Sequence, residues 1–568
     1  MMTSPNHLPS TVEKRSRPQL ELSTLITKSG INWLSVVFVR ISCEQLHLAV
    51  HNTSAQRRRQ LAVAVGKEKR EALIRAKRLC REAFFEDNEV SLERDMDTDE
   101  EKTVLDAQTS QTVDDLKSAL TYHFLLAFIN LIGLVCFNQN ISGKGATQKK
   151  VETLRELRRL LSKSEVPPVK AALQAGVIPL LVQCLAFGSP DEQLLEAAWC
   201  LTNIAAGDPE ETKSLMPALP LLVAHIGEKS LVAIAEQCAW ALGNVAGEGE
   251  ELRNILLAQG ALLPLARLMM SNKGSTARTA AWALSNLLKG PHPKAASELI
   301  KIKGVIDAIV QHLRKEDDEL VTEVAWVVVY LSALSEVAVG LLLKNDVAQL
   351  LVGKLAASES LQLLIPVLRS LGNLVAADGY MTDKVLIVGY NITEQLLSGL
   401  IKCLKNEHRV LKKEAAWVLS NIAAGSIKHK ELIYSSEAMP LLIHLLLNAT
   451  FDIRKEVAYT LGNLCVAPSK DLEQPSIIVH HLVSLIEHGC LPGFVHLVRS
   501  VDIQSARLGL QFLELVMRGM PNGEGLKLVE EDGIDAMERF QFHENEEIRN
   551  MANGLIDKYF GEDYGLDE

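Results

Sequence analysis

AAWCLTNIAAG (197–207), CAWALGNVAGE (238–248), AAWALSNLLKG (280–290) and AAWVLSNIAAG (415–425) are four spellings of one phrase. VAWVVVYLSAL (324–334), VLRSLGNLVAA (367–377) and VAYTLGNLCVA (457–467) keep its frame with changes. Aligned on the ring position, the rungs fall at residues 199, 240, 282, 326, 369, 417 and 459, in steps of 41, 42, 44, 43, 48 and 42 residues. Between them lie segments such as GVIPLLVQCLAFG (176–188) and GALLPLARLMM (260–270), where glycine precedes an apolar helical stretch. Gly and Pro in these places mark helix boundaries.

A helical period of about 40–47 residues is that of armadillo and HEAT units. Each unit is then two or three helices that cannot bury an apolar face alone. Neighbours must stack, which predicts an all-α, right-handed superhelical solenoid of about ten repeats with a long concave surface. Composition agrees. The 568 residues are 48% hydrophobic and 23% charged, which excludes wholesale disorder, and only 5% aromatic, which argues against a sandwich or propeller. The nine cysteines form no C-x-x-C pair, so neither a disulfide scaffold nor a structural zinc site is expected, and the chain reads as intracellular.

Charge divides the chain. Residues 1–84 hold 15 Lys/Arg against 6 Asp/Glu, whereas the remainder holds 44 against 64. A basic arm on an acidic body is a functional clue, because the body attracts cationic partners. The expected organisation is a disordered extension over 1–55, a flexible basic helix over 56–82, a linker over 83–145 and the repeat domain over 146–568. The linker contains an acidic run (86–101) and an apolar run, FLLAFINLIGLVCF (124–137). At 14 residues that run is shorter than a bilayer span, and no membrane association is expected.

Five of the six tryptophans lie in the repeat frame, and Trp199, Trp240, Trp282 and Trp417 each have an Asn four residues on. Residues i and i+4 share a helix face, so each such unit presents an indole and a carboxamide together. One isolated pair would be read as core filling and a local turn bond. The repetition argues for a surface, since Asn gains nothing inside a helix unless it is bonded. A carboxamide can pair with both N–H and C=O of an extended peptide. Helices about 8–10 Å apart would grip such a chain every two or three residues. Indoles between them form slots for Lys or Arg stems, each worth about 0.5–2 kcal/mol. Glu248, Glu323, Glu414 and Glu456 are candidates to neutralise the head groups, with a solvated helix charge as the alternative for each.

These segments, with the closing IDKYFGEDYG (556–565), resemble importin α, the armadillo-repeat adaptor for nuclear localisation signals. The resemblance runs from about Gln56 to Glu568 with a break near 123–142, and EKREALIRAKRLCRE (68–82) and RFQFHENEE (539–547) are spelled like a divergent plant-type member. It implies a major signal site at Trp199, Asn203, Gly207, Thr212, Gln237, Trp240, Asn244, Glu248, Trp282, Asn286 and Glu323. Glu248 and Glu323 stand where the family has Asp. The implied minor site is Arg369, Asn373, Glu414, Trp417, Asn421, Glu456, Tyr459 and Asn463, with Tyr459 replacing the usual Trp. Trp326 and Tyr330 would separate the two.

Residues 56–82 fall where the family's importin-β-binding and autoinhibitory helix belongs. Its basic residues here are Arg57, Arg58, Arg59, Lys67, Lys69, Arg70, Arg75, Lys77, Arg78 and Arg81, with Leu79 and Cys80 thinning the inhibitory cluster. The resemblance implies cargo proteins with basic signals, importin β and a recycling exportin at the C-terminal repeats as partners. It also implies shuttling between cytoplasm and nucleus. Direct nucleic-acid binding is not expected, because the arm lacks base-stacking aromatics.

No P-loop, zincin or nucleophile-elbow motif occurs, and no catalytic residue, metal site or cofactor is assigned. Adjacent His480 and His481 point to different sides of a helix and suit surface or core better than ligation. The competing reading is an armadillo scaffold without a transport role. That would call for basic or apolar groove residues, of which Arg369 is the clear one. An armadillo ubiquitin ligase would need a U-box-like module, and none is seen.

Overall fold

The structure, a computed structural model, describes residues 98–131, 139–163, 167–227, 230–290, 293–376, 383, 385–386, 390–467 and 476–561. The regular secondary structure of the described residues is all helical, with no strand. They form the expected right-handed solenoid of stacked repeats. The basic helix of 56–82 and the extension before it lie outside the described residues.

Each rung phrase folds as the long inner helix of its unit. After the leading helices α1 (Thr98–Leu131) and α2 (Gln139–Lys163), the inner helices are α3 (Asp191–Ile204), α4 (Val232–Glu248), α5 (Gly274–Leu288) and α6 (Asp318–Leu334). They continue as α7 (Leu361–Val375), α8 (Arg409–Ala423), α9 (Phe451–Leu464), α10 (Ile503–Gly519) and α11 (Glu546–Phe560). Two shorter outer helices precede each in the regular units, such as Glu250–Ala258 and Leu262–Met269 before α5. Gly260 joins that outer pair at φ 78°, a left-handed conformation open to glycine at no steric cost. Asp346 adopts φ 58° at the equivalent turn between Glu336–Lys344 and Val347–Ala357.

Successive inner helices pack directly on one another from α2 to α9, and the packing thins between α9 and α10. Ala197, Ala198, Ala239, Ala241, Ala280, Ala281, Ala415 and Ala416 are buried along these seams. Such small side chains let helix axes approach closely. One continuous apolar core runs from Val113 to Leu555.

The solenoid begins earlier than the sequence reading placed it. The linker expected over 83–145 gives way at Thr98 to α1, whose Val113, Leu116 and Leu120 are buried against α2. Those three residues keep helical spacing, but Asp114, Asp115 and Lys117 between them mask it. The acidic residues at 99–101 sit in the first turn of α1, where the helix dipole favours negative charge. The first eight residues of the apolar run, 124–131, continue α1. No single helix among the described residues is long and apolar enough to cross a membrane.

Candidate functional site

The ring and carboxamide of each phrase follow from how consecutive inner helices touch. In two units the residue three places after the ring position faces the ring of the next unit. Gly243 on α4 lies under Trp282 of α5, and Gly372 on α7 lies under Trp417 of α8. A Cβ at either glycine would fall well inside contact distance of the indole. These glycines are there for close approach. Trp240, Trp282 and Trp417 are accordingly buried, while Trp199, Trp326 and Tyr459 are partly so.

The carboxamides have a job that sequence reasoning did not assign. Each donates through Nδ2 to the unit before it. Asn203 reaches Ser162 Oγ at 2.8 Å, Asn244 the Thr202 carbonyl at 3.2 Å and Asn286 the Gly243 carbonyl at 3.0 Å. Asn373 reaches the Val329 carbonyl at 3.0 Å, Asn421 that of Gly372 at 2.9 Å and Asn463 that of Ser420 at 3.0 Å. The Asn ladder therefore rivets the repeats together. An amide has two N–H groups and two Oδ1 lone pairs, so one rivet does not exhaust it; Asn373 also donates to Ser332 Oγ at 3.2 Å, and Asn286 Oδ1 accepts from Lys289. Oδ1 of Asn244 is buried with no hydrogen-bond partner among the described residues. Gln237 is likewise tied across units, its Nε2 donating to Thr202 Oγ1 at 2.8 Å.

The carboxylates divide. Glu323 is buried on α6, and Glu248 and Glu456 are partly exposed. Glu414 is already engaged, its Oε1 accepting from Arg369 Nη2 at 2.8 Å with both side chains buried. Burial alone would lower the pKa of the Arg369 guanidinium, but the Glu414 carboxylate outweighs it and the net shift is upward. The same guanidinium stands 5.4 Å from the Trp326 ring centre. The structure therefore joins two of the expected minor-site residues to each other. Sequence reasoning also missed Arg158, which stands 4.3 Å from the Trp199 ring centre, and Lys289, which bonds Asn286 Oδ1 and faces the Tyr330 ring.

Thr212 occupies the thirteenth position after its ring, where its hydroxyl bonds the Asp208 carbonyl at 3.0 Å and lies 3.3 Å from that of Ala205. Gly207 precedes the short helix that Asp208 caps, with Glu211 closing the capping box. The equivalent residue after Trp240 is Arg253, whose Nη1 donates to the Ala246 carbonyl at 3.1 Å. After Trp417 it is Lys430, whose buried ammonium donates to the carbonyls of Ala423 at 2.5 Å and Asn463 at 2.6 Å. The C-terminal carbonyls of an inner helix thus hold a cation in two units of this chain. Only the fixed distance from the ring could have exposed the relation, because three different residue types fill the place.

Burial pushes the thiols of Cys184, Cys238 and Cys465 up to about 12. No group of three or more His, Cys, Asp or Glu residues is placed to hold a metal among the described residues. His481 is buried and bonds the Leu464 carbonyl, whereas His480 is exposed.

Comparison with known proteins completes the description. The armadillo/beta-catenin-like repeat family matches residues 165–206, 250–289 and 426–466, and the atypical Arm repeat matches 526–568. A crystal structure of an engineered protein superposes with a TM-score of 0.62 over 73% of this chain and 95% of its own, at 22% identity, a likeness of fold. The chain is 65% identical to importin subunit alpha-9 of Arabidopsis thaliana, over 92% of this chain and 97% of that one. It is also 65% identical to importin subunit alpha-2 of Oryza sativa subsp. japonica, over 92% and 96% of the two chains. With the repeats, the ladder and these relatives in agreement, the chain belongs to the importin subunit alpha family of armadillo-repeat proteins.

Proposed function

We propose that this importin alpha family member, a nuclear import adaptor, binds Lys/Arg-rich nuclear localisation signals in its concave groove and links them to importin β through residues 56–82. The major stretch is Trp199/Asn203, Trp240/Asn244 and Trp282/Asn286, with Gly207, Thr212, Gln237, Glu248 and Glu323 around it. The minor stretch is Asn373, Trp417/Asn421 and Tyr459/Asn463, with Glu456 and the Arg369–Glu414 pair. The observation that carries the reading is the recurrence of a ring and a carboxamide at one position of successive inner helices.

Cation binding has a precedent inside the molecule. Lys430 shows inner-helix carbonyls gripping an ammonium, and Thr212 stands at the corresponding place beside the major stretch. A cargo lysine fits there, with Glu248 as its counter-charge. By the same family likeness, importin β engages the basic arm, a recycling exportin binds the C-terminal repeats, and the protein shuttles between cytoplasm and nucleus.

The test is fluorescence anisotropy of a labelled Lys-rich peptide against residues 1–568 and residues 98–568, a cut that spares α1. Tight binding by the short form and weaker binding by the long form support an adaptor whose arm competes for the groove. Equal tight binding keeps the adaptor and removes the competition. No binding by either leaves a scaffold without a transport role.

A further inference from the structure

Two rungs carry an arginine where the others carry a ring. One is Arg369. The other is Arg158 on α2, 41 residues before Trp199, the same step that separates Trp199 from Trp240. The match extends to its neighbours. Ser162 stands four residues on, in the carboxamide's place, and accepts from Asn203. Each arginine is held by the glutamate three residues before the next unit's ring: Arg158 Nε donates to Glu196 at 2.6 Å, and Arg369 Nη2 to Glu414 at 2.8 Å. Each guanidinium also stands over an indole, Trp199 at 4.3 Å and Trp326 at 5.4 Å. Trp199, Trp240, Trp282 and Trp326 therefore lie between two arginine rungs.

We propose that Arg158, locked between Glu196 and Trp199, is a specificity-determining residue that ends the run of cation-accepting rungs, so that the ligand side chain reaching it is selected to be anionic or neutral. The proposal rests on the adaptor reading above. Glu196 is shared by two guanidiniums, since Arg155 Nε also donates to it at 3.1 Å. A ligand ammonium arriving here meets an indole face already covered by a cation and a carboxylate whose oxygens are both engaged. Like charges in contact repel, and Arg155 adds to the repulsion. A ligand carboxylate meets two guanidiniums, one of them partly exposed.

The experiment uses the full chain and labelled Lys-rich peptides in which Glu, Ala or Lys is scanned through the flanking positions at both ends. The expected result is one flanking position where Glu binds up to about fivefold tighter than Lys, the scale of a partly exposed ion pair. Arg158→Gln should erase that preference between the Glu-, Ala- and Lys-flanked peptides, and Arg158→Lys should retain it. Glu196 keeps Arg155 as a partner in these variants, and Arg158→Met, which preserves the stem on the indole, is a second neutral variant in case the first misfolds. A preference that survives both neutral variants, or equal shifts for all three peptide types, overturns the proposal. Failure of every basic peptide to bind overturns the adaptor reading and this proposal with it.

Discussion

The three rungs of α3–α5 and the three of α7–α9 are built to one plan and finished differently. In the first stretch all three rings are indoles and the carboxamides Asn203, Asn244 and Asn286 are buried. In the second, the ring positions hold Arg369, Trp417 and Tyr459, and Asn373 and Asn421 are partly exposed. The place three residues before the ring also differs. Pro366 occupies it on α7, where Gln237 ties α4 to its neighbour. The step from rung 369 to rung 417 is 48 residues, the longest in the array. The difference teaches that the scaffold and the grip are separable. Asn rivets persist through both stretches, while the row of indoles that would hold a ligand is complete only in the first.

The largest expected effect probes the grip directly. Trp240→Ala with Asn244→Ala should cost about 2–4 kcal/mol in binding a labelled basic peptide, the scale of an interface hot spot. The pair Trp417→Ala with Asn421→Ala should cost less. Equal losses in anisotropy titrations would break the comparison. Next come the glycines beneath the rings. Gly372→Ala drives a methyl into the Trp417 indole and should destabilise by about 1–3 kcal/mol in urea unfolding. Gly462→Ala, whose nearest neighbour is Leu508 at 3.8 Å, should stay within about 0.5 kcal/mol or gain from helix propensity. A similar cost at both sites would remove the ring-on-glycine account.

A third change sharpens the contrast by repairing it. Tyr459→Trp enlarges the slot wall on α9 and should tighten binding to the second stretch by up to about 1 kcal/mol, read with a two-cluster peptide whose first cluster is alanine. No gain would place the weakness at Arg369–Glu414 instead.

The smallest effect is acid sensitivity. His312, His429 and His481 all have pKa values below the usual imidazole range, chiefly through burial, even though Asp383 lies 2.7 Å from His429 Nε2. The folded state resists protonating them while the unfolded chain does not. Their contribution is therefore constant above about pH 6.5 and is lost as pH falls below it. His429 and His481 belong to the second stretch, so hydrogen-exchange protection, taken relative to the intrinsic rate at each pH, should fall sooner on acidification in α8 and α9 than in α4 and α5. A uniform fall would refute the assignment.

The inner helices were legible because one phrase recurs with its ring and carboxamide intact. Three things were not. The helix α1 was hidden because Asp114, Asp115 and Lys117 interrupt the spacing of Val113, Leu116 and Leu120, and a helix packed on one side only needs little more apolar surface. Arg158 was hidden because its segment, LRELRRLLSKS (154–164), keeps the step of the array but neither Trp nor Asn. The rivets were hidden because a side chain's partner one unit earlier is written some 42–49 residues away, in a backbone carbonyl that every residue type supplies equally, or, for Asn203, 41 residues away in the Ser162 hydroxyl.

All six carboxamides donate to the unit before them. Shortening the array from its back removes a donor and bares an acceptor, which water satisfies at the newly exposed surface. Shortening it from its front strips the acceptor from a carboxamide that stays lodged against its own helix. The array is thus unequal under trimming: a fragment that starts inside a repeat begins with a loosened edge, and one that stops inside a repeat does not.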